Sequence, residues 1–280
     1  MIPSHLDPTT GMPLDQASRA VRWTSTALLA VVWVSIAAFG ASILATYLHQ
    51  GLTGQGHRWN DGVLPGLFDP DRLMATLGIG LHFATGGVLM LLIPLQLIGS
   101  LRRRYPAVHR WSGRVSVSAA LLAGIGGLAF ILVKGTIGGT LMDIGFAFYG
   151  ALIVLASINT FRHARARRWL QHRAWAIRLF ALAIASWLYR VEYAGWSIAT
   201  DGAGRTQTFD GPFDVFMAFF FYTGALVVAE AYLRSRGGRP GTLAVVLSTA
   251  TLVVSTLVLA VLNYFLVRYS WGPGIVALFG

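Results

Sequence analysis

The chain has 280 residues, of which 55% are hydrophobic and only 12% are charged. So few charges cannot cover a water-soluble domain of this apolar content, and the composition predicts one polytopic helical membrane domain. Cysteine is absent, which excludes disulfides, thiolate metal sites and cysteine nucleophiles. The net charge of +11 would suggest nucleic acid in a soluble protein. Here arginines beside membrane spans account for it, so we expect no nucleic-acid partner.

Seven apolar stretches are each long enough to cross about 30 Å of hydrocarbon. Residues 1–22 are polar and irregular and lack the apolar core of a signal peptide, so we expect an uncleaved cytoplasmic N-terminal segment. Residues 23–280 are predicted to form a single transmembrane domain that ends in a short tail. The predicted spans are residues 23–48, 73–100, 111–134, 141–161, 174–200, 212–233 and 241–267.

The distribution of arginines predicts the orientation of the chain. With the N-terminus inside, the basic residues concentrate on the cytoplasmic side, as the positive-inside rule requires. The inner segments then hold Arg19, Arg22, Arg102, Arg103, Arg104, Arg110, Arg114, Arg162, Arg165, Arg167, Arg168, Arg173, Arg178, Arg234, Arg236 and Arg239. The outer segments hold Arg58, Arg72, Lys134, Arg190, Arg205 and Arg268. We therefore predict an all-α bundle of seven helices in a bacterial cytoplasmic membrane. Its N-terminus lies inside, its C-terminus outside, and its inner face meets anionic lipid headgroups.

Two basic segments, 101–114 and 162–178, have the same pattern and are predicted to be loops between spans. The first ends in HRWSGR, from His109 to Arg114, and the second in HRAWAIR, from His172 to Arg178. Spans two–three and four–five run in the same direction with equivalent loops. They predict a duplicated hairpin packed as a four-helix core over about residues 73–200. Small residues on the second and third spans favour close packing: Gly78, Gly80, Gly86, Gly87, Gly124, Gly126 and Gly127.

Several ionisable residues lie at depth within the predicted spans, where each is costly and therefore a functional candidate. We predict a polar pocket in the outer half of the bundle, formed by His82, Arg190, Glu192, Asp143, Tyr149 and Tyr189. Arg190 and Glu192 are two residues apart and diverge on a helix, so each needs a partner on another span or a ligand. The candidate ligands are a quinone, a haem propionate and an anionic solute. Alternatively, the pocket could form part of a proton path. The structural alternative is that Arg-carboxylate pairs and a carbonyl-bonded His only fasten helices together. Glu230 is predicted to pair with Arg234, four residues later.

His109 and His172 at the cytoplasmic ends are candidate ligands of b-type haem or of a divalent metal. Two histidines on facing helices of a four-helix bundle can hold a haem, and Arg114 and Arg178 could receive its propionates. The alternative is that each His-Arg motif marks a helix start facing lipid headgroups. His82 and His109 lie near opposite faces of the membrane and cannot share one iron. The fourth span supplies no His to pair with His82. The sequence therefore lacks the four histidines in two layers that a two-haem bundle needs.

These residues carry a resemblance to a known family. From His82 through HRWSGR and HRAWAIR to Arg190, over roughly residues 75–195, the chain resembles the bacterial membrane family called domain of unknown function 2306. The family has no established activity, so the resemblance implies an integral membrane protein and transfers no catalytic role. It points to His82, His109, Arg114, His172, Arg178 and Arg190 as the positions to test. The family pattern has a Met next to the Trp of the second motif, whereas this chain has Ala176 and Ile177 there. The bundle is also loosely similar to cytochromes of the b561 type in helix number and in the His at helix ends.

The leading hypothesis is a membrane-embedded redox or ligand-binding protein. His109 and His172 would hold haem b or a metal at the inner face, and His82 with Arg190 would form an outer pocket for a quinone-like or anionic ligand. A second hypothesis is a non-catalytic accessory subunit that packs against a larger membrane complex. A third is a small-solute or proton-coupled transporter, permitted by the duplication and by Arg190 and Glu192. Whether the protein is an enzyme stays open.

Overall fold

A computed structural model describes residues 14–62, 64–234 and 242–278. Within these residues the chain forms helices and turns and no β-strand. Seven long helices are labelled α1 to α7 in chain order. They are α1 (Leu14–Ile43), α2 (Leu73–Leu92), α3 (Pro106–Lys134), α4 (Gly139–Arg165), α5 (Trp169–Thr200), α6 (Pro212–Arg234) and α7 (Thr242–Leu266). All seven are long and apolar enough to cross a membrane, which confirms the predicted all-α fold and span count. The orientation of the termini stays a prediction, and Arg236 and Arg239 lie outside the described residues.

Both terminal spans are longer than the sequence predicted. Helix α1 begins at Leu14 rather than near residue 23, because Pro13 is the last of the early prolines and the following residues favour helix. The last helix continues after α7 through a π-helical turn, Val267–Trp271, to Val276, where a short tail was expected. Pro273 is compatible with this continuation because it occupies the first turn of the final helical segment.

The two basic segments are mostly helical rather than loops. Helix α3 begins at Pro106, a residue suited to the first helical position, so His109 lies within its first turn. Helix α5 begins at Trp169, and His172 lies in its first turn too. In both segments the Arg stacks on the Trp one turn earlier: Arg114 Cζ lies 4.9 Å from the Trp111 ring centroid, and Arg178 Cζ lies 5.0 Å from that of Trp175. The two motifs thus share a local geometry as well as a sequence pattern.

Consecutive helices from α1 to α5 pack side by side, while α6 packs on α4 and α5, and α7 packs on α1 and α5. Helix α5 also contacts α1 and α2 at a few points, so α1 to α5 lie around one central region. The centre of the core lies on α5, where Leu182 and Trp187 are almost fully buried beside Ile36 of α1 and Phe221 of α6. The division into a duplicated core over residues 73–200 and outlying helices stays a prediction.

Glycines bring several helix pairs into backbone contact. A Cβ added to Gly126 of α3 would lie 2.5 Å from the Gly78 oxygen of α2, and one added to Gly124 would lie 3.2 Å from the Gly150 oxygen of α4. A Cβ on Gly40 of α1 would lie 3.0 Å from the oxygen of Gly87. Such approaches need residues without side chains, as predicted for membrane helices.

Two of the predicted packing glycines on α2 have other surroundings. Gly80 faces Trp59, which comes from the loop between α1 and α2. Gly86 has no atom within 4 Å of an added Cβ among the residues that the structure describes. Gly86 therefore borders open space and does not set a helix distance.

The loop between α1 and α2 folds over the end of the bundle that is predicted to lie outside. Trp59 is buried, and its Nε1 donates a hydrogen bond of 3.1 Å to the Tyr47 carbonyl oxygen. Lys134 at the end of α3 donates to Asp69 at 2.7 Å, which joins the loop to the far end of that helix. This hydrogen bond and the positive charge of Lys134 hold the pKa of the Asp69 carboxyl below its ordinary value.

Candidate functional site

Arg190 of α5 lies in the central region between α1 to α5. It is ten residues from the end of α5, which places it roughly 15 Å along the helix from that end. Its Nη1 donates to the Ser186 carbonyl oxygen at 2.7 Å, and its Cζ lies 4.6 Å from the ring centroid of Phe39 on α1. None of the ion pairs among the described residues includes Arg190. An intramembrane guanidinium with one carbonyl bond and an aromatic neighbour keeps donors available for a ligand.

His82 of α2 and three tyrosines lie within electrostatic range of Arg190. They are Tyr47 of the π-helical turn Leu44–Leu48 that continues α1, Tyr149 of α4 and Tyr189 of α5. The His82 ring nitrogen Nδ1 makes a 2.9 Å hydrogen bond with the Ala123 carbonyl oxygen of α3. A carbonyl only accepts, so Nδ1 carries the proton and Nε2 is left as an acceptor. The structure thus places four of the predicted pocket residues around one interior: His82, Arg190, Tyr149 and Tyr189.

Tyrosines contribute both walls and hydrogen-bonding groups to this interior. The buried Tyr149 donates to the Leu182 carbonyl oxygen at 2.8 Å, which fixes its ring between α4 and α5. Tyr47 stacks on Phe83 with ring centroids 3.9 Å apart, just below the loop that covers the outer end. Tyr47 was missed by the sequence reasoning because it lies near the end of the first span, where a tyrosine is also expected at the membrane interface.

Two predicted pocket residues lie elsewhere. Asp143 accepts a 2.5 Å hydrogen bond from the Thr136 backbone nitrogen, so it stabilises the turn between α3 and α4. Glu192 faces away from Arg190 and lines a groove between α6 and α7. The separation of Glu192 from Arg190 follows from their spacing, since residues two apart point to different sides of a helix.

A chain of buried polar groups joins α5, α1 and α7 near the pocket. Trp187 Nε1 donates to the Ser35 hydroxyl at 2.6 Å, and that hydroxyl donates in turn to Asn263 Oδ1. A buried carboxylate lies near the start of α6. Asp214 is fully buried and accepts from the Tyr193 hydroxyl at 2.8 Å and from the Thr206 nitrogen at 2.9 Å. These contacts set the positions of α5, α6 and α7 around the interior.

At the end of the bundle that is predicted to lie inside, His109 of α3 and His172 of α5 lie within electrostatic range of each other. His172 Nδ1 makes a 3.0 Å hydrogen bond with the Thr160 carbonyl oxygen, which leaves Nε2 free of the proton. His109 Nδ1 is buried and has no hydrogen-bond partner in the part of the chain that the structure describes. The described residues contain no group of three or more His, Cys, Asp or Glu side chains that could hold a metal ion.

The arginines of the two motifs have different partners. Arg178 forms a two-pronged ion pair with Glu230 of α6, with Nε 2.5 Å from Oε1 and Nη2 3.2 Å from Oε2. Arg234 reaches Glu230 only at 3.9 Å, so the predicted pair within α6 is present but is the weaker of the two. Arg114 is exposed beside Trp111 and takes part in no ion pair among the described residues.

The fold and the buried polar side chains define a multi-pass helical membrane protein with an arginine, Arg190, among its helices. Residues 79–233 match the family described as predicted membrane protein, DUF2306. The match covers more than half of the chain, and the chain belongs to that family. Searches of curated proteins and of solved structures found no match.

Proposed function

We propose that the protein binds an oxygen-bearing amphipathic ligand, quinone-like or anionic, in the interior around Arg190. The observation that carries the proposal is the guanidinium itself. It lies within the membrane span with one carbonyl hydrogen bond at 2.7 Å and no carboxylate partner among the described residues. Burying a charged side chain within a membrane costs free energy. A hydrogen bond from the guanidinium to a ligand oxygen would offset that cost.

The neighbours of Arg190 fit the same ligand class. His82 Nε2 is an acceptor for a ligand hydroxyl, while the hydroxyls of Tyr47 and Tyr149 can accept a hydrogen bond. The Phe39 and Tyr47 rings offer flat apolar faces. A quinone head group needs hydrogen-bond donors at its carbonyls and a flat apolar slot, and a carboxylate needs the guanidinium fork.

Binding to the purified protein in lipid nanodiscs tests this proposal. The probes are decylubiquinone for the quinone arm and decanoate for the anionic arm, each measured by quenching of tryptophan fluorescence. We expect Arg190→Gln to weaken binding of the accepted probe at least about tenfold, the effect of about 1.4 kcal/mol. Arg58→Gln, an exposed change in the outer loop, is the matched control. Tyr47→Phe removes one hydroxyl and tests the site if Arg190→Gln fails to fold. The proposal is wrong if neither probe binds, or if all variants bind equally.

The inner histidines support a second candidate, a b-type haem between α3 and α5. The supporting observation is the His172 Nδ1 bond to Thr160, which orients Nε2 as a ligand. The half-buried His109, whose Nδ1 atom is buried, lies within electrostatic range of His172. Bound haem would supply one-electron redox chemistry. Arg114 remains for its propionates, since Arg178 is occupied by Glu230. Among the described residues, a metal ion there would have these two imidazoles as its protein ligands. A reduced-minus-oxidised spectrum with a pyridine haemochrome assay tests it, and a colourless purified protein would rule it out.

The exposed Arg102, Arg103 and Arg104 at the inner end are proposed to contact anionic lipid headgroups. A bacterial cytoplasmic membrane is the proposed location. The accessory-subunit and transporter hypotheses stay predictions.

A further inference from the structure

A groove on the outside of the bundle lies apart from the Arg190 interior. Helix α5 forms its floor, and α6 and α7 form its walls. The groove has a volume of about 590 Å³. Its lining is apolar apart from Glu192 of α5 and Ser255 of α7. Because the seven helices cross a membrane, this groove opens towards the lipid.

Among the described residues, Glu192 has no partner that explains its position in the groove. Its Oε2 is buried and forms no hydrogen bond to any residue that the structure describes. Glu192 also belongs to none of the ion pairs among those residues. It lies eight residues before the end of α5, roughly 12 Å along the helix. A carboxylate at this depth in an apolar groove is costly unless a donor or a positive charge meets it.

The size of the groove indicates a small molecule rather than a partner helix. Its floor extends from Leu188 to Trp196, which is roughly 12 Å of helix. A transmembrane helix would need contacts over much of the roughly 30 Å hydrocarbon thickness. The volume of the groove, in contrast, falls within the range of roughly 300–1,000 Å³ that is usual for small-molecule pockets.

Aromatic rings line the same groove as the carboxylate. Trp196 and Phe213 stack with centroids 4.5 Å apart, and Phe216 and Phe220 stack with centroids 4.8 Å apart. All four residues line the groove. Aromatic faces attract organic cations, and the attraction increases where water is excluded. A single carboxylate among aromatic rings is complementary to a positive charge that carries apolar substituents.

We propose that this groove is a binding site for a lipophilic organic cation, with Glu192 as its counter-charge and the four aromatic rings as its walls. The ligand enters from the lipid side, between α6 and α7. The site is separate from the Arg190 interior, because Glu192 and Arg190 diverge on α5. It therefore does not depend on the function proposed above.

Equilibrium binding of tetraphenylphosphonium to the full chain in lipid nanodiscs tests the proposal. Empty nanodiscs give the lipid background. We expect saturable binding to the protein, and Glu192→Gln should raise the dissociation constant at least about tenfold. Triphenylphosphine oxide, a neutral molecule of similar shape, should bind the native chain and Glu192→Gln with equal affinity.

Two further variants make each result decisive. Asp71→Asn removes an exposed outer carboxylate and should leave tetraphenylphosphonium binding unchanged. Ser255→Phe keeps the carboxylate and fills the groove, so it should abolish binding of both probes even if Glu192→Gln does not fold. The proposal is overturned if the native chain binds no more cation than empty nanodiscs. It is also overturned if Glu192→Gln binds tetraphenylphosphonium as the native chain does. Where Glu192→Gln does not fold, native-like binding to Ser255→Phe overturns it instead.

Discussion

Replacing Gly126 with Ala should force α2 and α3 apart at the level of the candidate pocket. The added Cβ would lie 2.5 Å from the Gly78 oxygen and 2.9 Å from the His82 backbone nitrogen, whereas ordinary contacts begin at 3.4 Å. The two backbones would therefore have to separate by about 0.9 Å, and overpacking of this kind costs about 1–3 kcal/mol. Both obstructing atoms belong to the backbone, so no side-chain rotation can relieve the contact.

The free energy of unfolding, measured by titration with sodium dodecyl sulfate from mild detergent, gives the assay. Gly86→Ala is the matched control, since the same methyl group on α2 would meet nothing within 4 Å among the described residues. We expect Gly126→Ala to be destabilised and Gly86→Ala to be neutral or slightly more stable. Equal stabilities of Gly126→Ala and Gly86→Ala would refute the reasoning that the Gly78–Gly126 approach sets the distance between these helices.

Two further predictions concern single polar contacts. The pKa of Asp69 is held low by Lys134, so this contact stabilises the fold above the ordinary pKa of an aspartate. Its contribution should disappear as the pH falls below about 4, and Asp69→Asn should abolish that part of the pH dependence of unfolding. A wild-type pH profile in Asp69→Asn would contradict this. Trp187→Phe removes the donor to Ser35 and should cost about 1 kcal/mol in the same detergent titration. When Ser35→Ala is already present, Trp187→Phe should cost much less free energy of unfolding. If the costs of the two changes are fully additive, the hydrogen bond between these residues does not contribute to stability.

The sequence by itself determined the number of spans. Crossing a bilayer requires about 20 apolar residues in a row, and apolar stretches of this length indicate membrane spans. It also showed that Arg190 and Glu192 could not pair, because helical periodicity separates residues two apart. The HRWSGR and HRAWAIR motifs indicated the family, and the match over residues 79–233 confirms it. The span ends at Leu14 and Val276 were missed because apolar character stops before the helix does.

Only the tertiary structure decided which side of each helix faces the interior. Every helix here is apolar on nearly all sides, so the sequence carries little amphipathic signal, and the packing of small residues sets the rotation instead. Asp143 was predicted to belong to the pocket but stabilises a turn, and Glu192 lies in the outer groove rather than beside His82. The Trp187–Ser35–Asn263 contacts join three helices far apart in the chain, and local pattern cannot show them. The central region around Arg190 exists because five helices lie around it, which is a property of their arrangement and not of any one span.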